Sequence, residues 1–107
     1  MKRQISVTET VLHVIGRKGT YLILETLQKG STRFTTLEKV LKVSPRTLSE
    51  RLKELEEHNI VKRIAYPEVP PRVEYSLTEK GEALEAIFAQ ILAWNESFAA
   101  KKRSKKK

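Results

Sequence analysis

Leucines spaced four and three residues apart define the central amphipathic segment of this chain. Leu48, Leu52 and Leu55 fall on one face of a helix predicted over residues 45–58. Ser44 precedes this helix as a candidate N-cap, and a proline suits its first position. The pattern therefore predicts a helix that is anchored along one side and that projects long polar side chains from the other.

Two capping boxes mark helix starts in the first part of the chain. Ser6 with Glu9 predicts a first helix from about residue 7, and Thr35 with Glu38 predicts a short third helix. An apolar second helix lies between them and ends at Gly30, a residue suited to the left-handed position after a helix.

Alternating apolar and polar residues follow the central helix. Asn59 is a plausible left-handed terminator of that helix. Residues 60–66 and 72–77 alternate and contain β-branched side chains, which predicts two strands of a hairpin. Three prolines in the connection cannot donate to a strand ladder, so we expect a protruding loop.

A long last helix completes the predicted fold. Thr78 can cap it, and its apolar residues are helically spaced over about 79–99. A short strand at 32–34 is a further option. The order α-α-α-α-β-β-α is mostly helical with a β-hairpin wing, which is typical of a winged helix-turn-helix, a DNA-binding module.

The polar face of the central helix supplies candidate contacts to DNA bases. Arg46 could donate to guanine O6 and N7, and Glu50 could accept from cytosine N4. Arg51 lies closer to the leucines, so we expect it to form an internal ion pair. The alternative interpretation is a solvated amphipathic helix without a partner. The expected DNA-binding residues here are Ser44, Arg46, Thr47, Ser49, Glu50 and Lys53.

Basic residues around the predicted wing are candidate contacts to the DNA backbone. Thr35, near a helix N-terminus, could hold a phosphate together with backbone N–H groups, although capping alone would also explain it. A solvated wing is the alternative for the hairpin. The expected wing and phosphate contacts are Arg33, Thr35, Lys62, Arg63 and Arg72.

The apolar residues of the last helix spread beyond one narrow stripe. Part of this surface must pack within the chain, and the excess predicts a dimer interface shared with the first helix. The expected interface residues are Val11, Leu12, Leu84, Ile87, Phe88, Ile91, Leu92, Trp94 and Phe98. A two-fold dimer would present two central helices to half-sites about 34 Å apart.

Charge is concentrated at the end of the chain. The net charge of the 107 residues is +8, and residues 101–107 carry six of the 21 basic residues and no acid. The remaining 15 basic and 13 acidic residues nearly balance. We therefore expect one DNA-binding and dimerisation domain over residues 1–100, followed by a disordered basic tail over 101–107. This tail could be a solubilising end, an electrostatic arm that adds sequence-independent affinity for DNA, or both.

Composition excludes several other classes of function. The chain has no cysteine, which excludes disulfides and thiol chemistry, and we expect neither a metal nor a cofactor. The only histidines, His13 and His58, are predicted on separate helices, and no aspartate exists to orient either, so we expect no enzyme. No apolar segment could span a membrane and no signal peptide is evident, which predicts the cytoplasm. Abundant Glu and Lys with few labile residues are typical of a thermophilic source.

Two runs resemble the HxlR-type regulators, a branch of the MarR-like winged-helix proteins. They are LSERLKELE at 48–56 and YPEVPPRVEYSLTEKG at 66–81, and weaker similarity extends the resemblance from about Ser6 to Phe98. It implies a homodimeric transcriptional regulator, with the 45–58 helix in the major groove, the hairpin as wing, and dimerisation through the first and last helices.

Two positions depart from the pattern of this family. Members often carry a cysteine near the start of the first helix, which some use to sense electrophiles or oxidants; spacing puts Ser6 there in this chain. Ser6 cannot form a thiolate, and we interpret it as an N-cap. Members also tend to have a tryptophan where this chain has Gly19. We therefore expect the packing between the first helices to differ from that of the family.

The leading hypothesis is a sequence-specific DNA-binding transcriptional regulator that acts as a homodimer on a pseudo-palindromic operator. The alternatives are an architectural protein that binds double-stranded DNA without choosing a sequence, and a winged helix used for protein contacts. Whether a small-molecule effector binds is left open.

Overall fold

The computed structural model describes residues 2–105, with side chains from residue 6 to residue 99. The elements are α1 (Lys2–Ile15), α2 (Thr20–Gln28), β1 (Thr32–Arg33), α3 (Phe34–Leu41), α4 (Pro45–Glu57), β2 (Val61–Tyr66), β3 (Arg72–Leu77) and α5 (Glu79–Lys105). The predicted mostly helical fold with a β-hairpin wing is confirmed, and the short strand before α3 is present. Within residues 2–105, no helix combines the length and the apolar character needed to cross a bilayer.

The three strands form one antiparallel sheet in the order β1-β3-β2. In the register of β2 and β3, Arg63 lies opposite Tyr75 and Tyr66 lies opposite Arg72. Because side chains alternate between the two faces of a strand, Arg63 and Tyr66 point to opposite sides of the wing.

The core joins one face of α4 to the other elements. Leu48, Leu52 and Leu55 are at most 1% exposed, which confirms the anchored face predicted from their spacing. They belong to one apolar cluster with side chains from every other helix, from the turn after α4, and from β2 and β3: Val14, Ile23, Leu24, Leu27, Leu37, Ile60, Val61, Tyr75, Leu77 and Leu84.

The end of α4 is closed by two backbone hydrogen bonds. Asn59 has a φ of 58°, as predicted for a left-handed terminator. Its N–H donates to the carbonyl of Glu56 at 2.9 Å, and the N–H of Ile60 donates to the carbonyl of Leu55 at 2.9 Å. These are the paired bonds of a Schellman motif, which satisfy carbonyls that the helix end would otherwise leave open.

The start of α5 is attached to that same helix end. Thr78 caps α5, as predicted: its Oγ1 accepts the Gly81 N–H at 3.1 Å and donates to the carbonyl of Asn59 at 2.6 Å. The ammonium of Lys80 donates to the carbonyl of His58 at 2.8 Å. The segment from Thr78 to Gly81 therefore fixes where α5 begins relative to α4.

Two helix starts differ from the prediction. α1 begins at Lys2, so Ser6 lies inside the helix, where its carbonyl accepts a hydrogen bond from Thr10 Oγ1 at 2.9 Å. No proline or glycine precedes Ser6 to stop the helix earlier. α3 begins at Phe34, after Arg33 as N-cap without a side-chain bond. The predicted Thr35 capping box is therefore wrong, because the extended end of β1 leads directly into the helix.

The end of the last helix also lies beyond its predicted position. α5 continues to Lys105 instead of ending near 99, because alanine, lysine and arginine favour a helix and no proline or glycine follows Gly81. The backbone is thus helical over most of 101–107, where we expected disorder. Side chains beyond residue 99, and residues 106 and 107 altogether, lie outside the described residues, so the domain boundary at residue 100 stays a prediction.

Candidate nucleic-acid interface

The face of α4 opposite the leucines is open to solvent. The side chain of Arg46 is 90% exposed, and its Nε donates to Glu50 Oε1 at 3.2 Å, one helical turn away. Ser49 and Lys53 are exposed on the same helix. The described chain does not cover this face, so it is free to enter the groove of a duplex.

The first turn of α4 is fixed by its N-cap. Ser44 Oγ accepts the Thr47 N–H at 3.1 Å and donates to Thr47 Oγ1 at 2.9 Å. The predicted cap is confirmed. The hydroxyls of Ser44 and Thr47 are therefore both hydrogen-bonded within the first turn of α4. These bonds fix the backbone on either side of Arg46.

Two arginine side chains connect α4 to the turn between α1 and α2. Arg17 pairs with Glu54, with 2.8 Å between Nη1 and Oε2. The predicted internal ion pair of Arg51 is wrong: its Nε donates to the carbonyl of Lys18 at 3.3 Å, and its buried Nη1 has no partner among the described residues. The sequence did not reveal the Arg17 contact, because a 37-residue separation carries no periodic signal.

A cleft of about 550 Å³ separates the wing from the start of α3. Arg33, Thr35, Arg63 and Arg72 line it, so the structure brings together four of the five expected backbone-contacting residues, all except Lys62. Tyr75 also lines the cleft and accepts a hydrogen bond from Arg63. Burial and then the charge of Glu56 raise the pKa of Tyr75, although Arg63 opposes them. Arg63 forms no ion pair with any residue that the structure describes.

Arg72 is engaged within the wing. Its guanidinium carbon lies 3.7 Å from the centre of the Tyr66 ring, and its Nη2 lies 2.7 Å from Glu68 Oε2. Its Nη1 also pairs with Glu74. The hydrogen bond to Glu68 raises the pKa of Arg72. This side chain holds the hairpin together, and the exposed cations Arg33 and Lys62 lie on the same side of the sheet.

The expected dimer residues divide into a buried and an exposed set. Leu84 is 8% exposed and belongs to the core, and half-buried Phe88 packs edge-on against Tyr21 with 5.3 Å between ring centres. Leu84 and Phe88 therefore pack mainly within their own chain. Val11 on α1 is half-buried. The exposed set is Leu12, Ile87, Ile91, Leu92, Trp94 and Phe98.

A leucine-anchored helix with an open polar face, preceded by a short helix and followed by a β-hairpin, defines a winged helix-turn-helix protein. The chain belongs to the HxlR-like helix-turn-helix family, whose model matches residues 14–103. It is a transcriptional regulator with a helix-turn-helix DNA-binding fold, and it is not an enzyme.

Curated relatives share this assignment. The HTH-type transcriptional regulator YodB of Bacillus subtilis is 42% identical over 91 residues, which cover 84% of this chain and 81% of YodB. The uncharacterised HTH-type transcriptional regulator YvaP of the same organism is 46% identical over 87 residues, covering 80% of this chain and 81% of YvaP.

Solved structures have the same fold. A MarR-family regulator from Enterococcus faecalis superposes with a TM-score of 0.80 at 36% identity, covering 92% of this chain and 90% of its own. Reduced YodB from B. subtilis gives a TM-score of 0.77 at 41% identity, covering 84% of this chain and 89% of its own. YodB has also been solved in diamide-treated and quinone-bound forms.

Proposed function

We propose that this chain is a sequence-specific regulator that binds a pseudo-palindromic operator as a homodimer. The observation that carries the proposal is the division of α4 into a fully buried leucine face and a polar face led by Arg46. Such a helix can enter the major groove without disturbing the core. Arg46 then reads guanine, and Arg33, Thr35 and Arg63 hold the neighbouring backbone from the wing cleft.

The exposed face of α5 supports a dimer. Ile87, Ile91, Trp94 and Phe98 follow one another at spacings of four, three and four, the repeat of a two-stranded helical seam. All four are about half exposed or more. A helix of 27 residues is about 40 Å long, so much of this stripe extends past the core. Exposed Leu12 on α1 adds to the same kind of surface.

Regulation of this chain does not use a thiol. Its sequence contains no cysteine, so oxidation or alkylation of a thiolate cannot change its conformation. Any signal that changes its affinity for DNA therefore acts without a cysteine of this sequence.

Selection of bound fragments from a random DNA library tests sequence specificity. We expect an operator bound about 10³-fold or more tightly than bulk DNA. Arg46→Ala should cost about 1–3 kcal/mol on that operator and little on random DNA, whereas Lys29→Ala, at the exposed end of α2, serves as control. An equal loss on both DNAs would indicate an architectural protein. Absence of DNA binding would indicate a protein-interaction module.

Sedimentation of charge variants tests the dimer separately. Ile91→Glu and Trp94→Glu place a charge in the proposed seam and should give monomers at concentrations where the unmodified chain is dimeric. Val69→Glu introduces the same charge at a fully exposed apolar residue of the wing and should remain dimeric. A monomeric unmodified chain, or no difference between the variants, would contradict the proposed interface.

A further inference from the structure

A cavity of about 320 Å³ lies between α2 and α5. Buried Leu24 and Leu84 contribute apolar surface to it. Tyr21 and Phe88, packed edge to face with an interplanar angle of 85°, supply aromatic surface. This α2–α5 cavity falls within the size range of small-molecule sites and, like them, is mostly apolar.

The charge of the cavity is opposite to that of the chain. Glu25 on α2 and Glu85 on α5 line it, and none of the described residues around it is a lysine or an arginine. Neither carboxylate forms an ion pair with any residue that the structure describes. In a chain of net charge +8, two uncompensated carboxylates beside an apolar cavity create a local site for a positive charge.

Both carboxylates act on the same aromatic ring. The pKa of Tyr21 is raised, first because its hydroxyl donates a hydrogen bond to Glu25 and then because the charges of Glu25 and Glu85 oppose the phenolate. The phenol therefore remains neutral, and the electron-rich ring of Tyr21 stays beside two negative groups. Aromatic rings with carboxylates around them are the surroundings that favour organic cations.

We propose that the α2–α5 cavity binds a small organic cation with an apolar or aromatic body, of the substituted ammonium class. The body contacts Leu24, Leu84 and the rings of Tyr21 and Phe88. The positive charge lies between Glu25 and Glu85 at the mouth of the cavity. A neutral apolar ligand would leave both carboxylates uncompensated, and an anion would be repelled by them, so charge selects the class of ligand.

Titration of the full-length chain with benzyltriethylammonium tests this site. Methyl NMR signals of Leu24, Leu84 and Leu92 report on the cavity, and we expect them to shift saturably, with a Kd of about 1 mM or below. Benzenesulfonate, an aromatic anion, should leave them unchanged at the same concentrations. A chain whose cavity methyls respond equally to both ions, or to neither, would overturn the proposal.

Charge-neutral variants locate the site. The double variant Glu25→Gln, Glu85→Gln keeps the shape of both side chains and should raise Kd for the cation about tenfold or more. Phe88→Leu should raise it severalfold by removing one ring. Glu82→Gln removes the same charge from the same helix outside the cavity and should have no effect. Unchanged binding by the double variant would overturn the proposal.

A second copy of the chain is the competing occupant, because Phe88 and Leu92 also belong to the expected dimer surface. Intermolecular NOEs from the Leu92 methyls to a partner's α1, together with no response to the cation, would assign the cavity to the dimer interface and overturn the ligand site. The binding test does not involve DNA, so its outcome is independent of the proposed operator recognition.

Discussion

Gly81 lies against the carbonyl oxygen of Ile60: a Cβ on Gly81 would come within 2.1 Å of that oxygen. Ile60 closes the Schellman motif at the end of α4, and Gly81 lies in the first turn of α5. This close approach of two backbones needs the absence of a side chain. It joins the helix proposed to read DNA to the helix proposed to form the dimer.

Gly81→Ala should therefore destabilise the whole fold. The oxygen is part of the backbone and cannot move without opening the end of α4, so we expect a loss of at least about 2 kcal/mol in the free energy of unfolding, despite the better helix propensity of alanine. Urea unfolding measures this loss. Glu82→Ala, at the next and exposed position, should change stability by less than about 0.5 kcal/mol. An equally stable Gly81→Ala chain would show that the two helix ends separate easily.

Ser44→Ala should weaken the start of α4. The Thr47 N–H loses its acceptor, and loss of an N-cap costs about 0.5–2 kcal/mol. Ser49→Ala makes the same chemical change on the exposed face of the same helix and should be neutral or slightly stabilising, because alanine favours a helix. Thermal unfolding of both variants provides the comparison. A larger loss for Ser49→Ala would contradict the capping role of Ser44.

Glu74 should make the stability of the wing depend on pH. The hydrogen bond from Ser31 and then the pairing with Arg72 lower its pKa below the ordinary value of 4.5, although desolvation opposes them. A carboxylate whose pKa is lower in the folded state stabilises the fold above its unfolded pKa, and this contribution is lost as pH falls through the folded pKa.

Urea unfolding between about pH 6 and pH 3 checks the contribution of Glu74. Glu74→Gln should be less stable than the unmodified chain at neutral pH, and the difference should shrink as the solution becomes acidic. Glu57→Gln, on the exposed end of α4, provides the control for loss of one carboxylate. A constant difference between the Glu74→Gln and unmodified chains across this range would contradict the assigned pairing.

The elements predictable from sequence are those that local chemistry determines. The spacing of Leu48, Leu52 and Leu55 determines which side of α4 is buried, and Ser44 and Asn59 mark its ends because their side-chain and backbone preferences act over three or four residues. The starts of α1 and α3 were not predicted correctly, since Ser6 and Thr35 satisfy a capping motif that an upstream helical turn or strand overrides.

Contacts between distant residues were not predictable in the same way. Leu84 and Ile91 lie on the same stripe of α5, yet one is buried and the other half exposed, because the rest of the chain packs against only the first part of this helix. Likewise, Arg72 looks like a free cation in the sequence, and only the pairing of β2 with β3 places it against Tyr66.

Glu50 should act as a specificity element against incorrect DNA. It is exposed and pairs with Arg46, and a surface pair of this kind contributes little to stability, so Glu50→Gln should fold normally. Removing the charge of Glu50 lowers its repulsion from DNA phosphates and releases Arg46 from their ion pair. Binding to random DNA should therefore become severalfold tighter, whereas binding to the operator should gain less or weaken. Fluorescence anisotropy with both DNAs at two salt concentrations measures the ratio, with Glu57→Gln as the control. An unchanged ratio of operator to random affinity in Glu50→Gln would remove this residue from sequence selection.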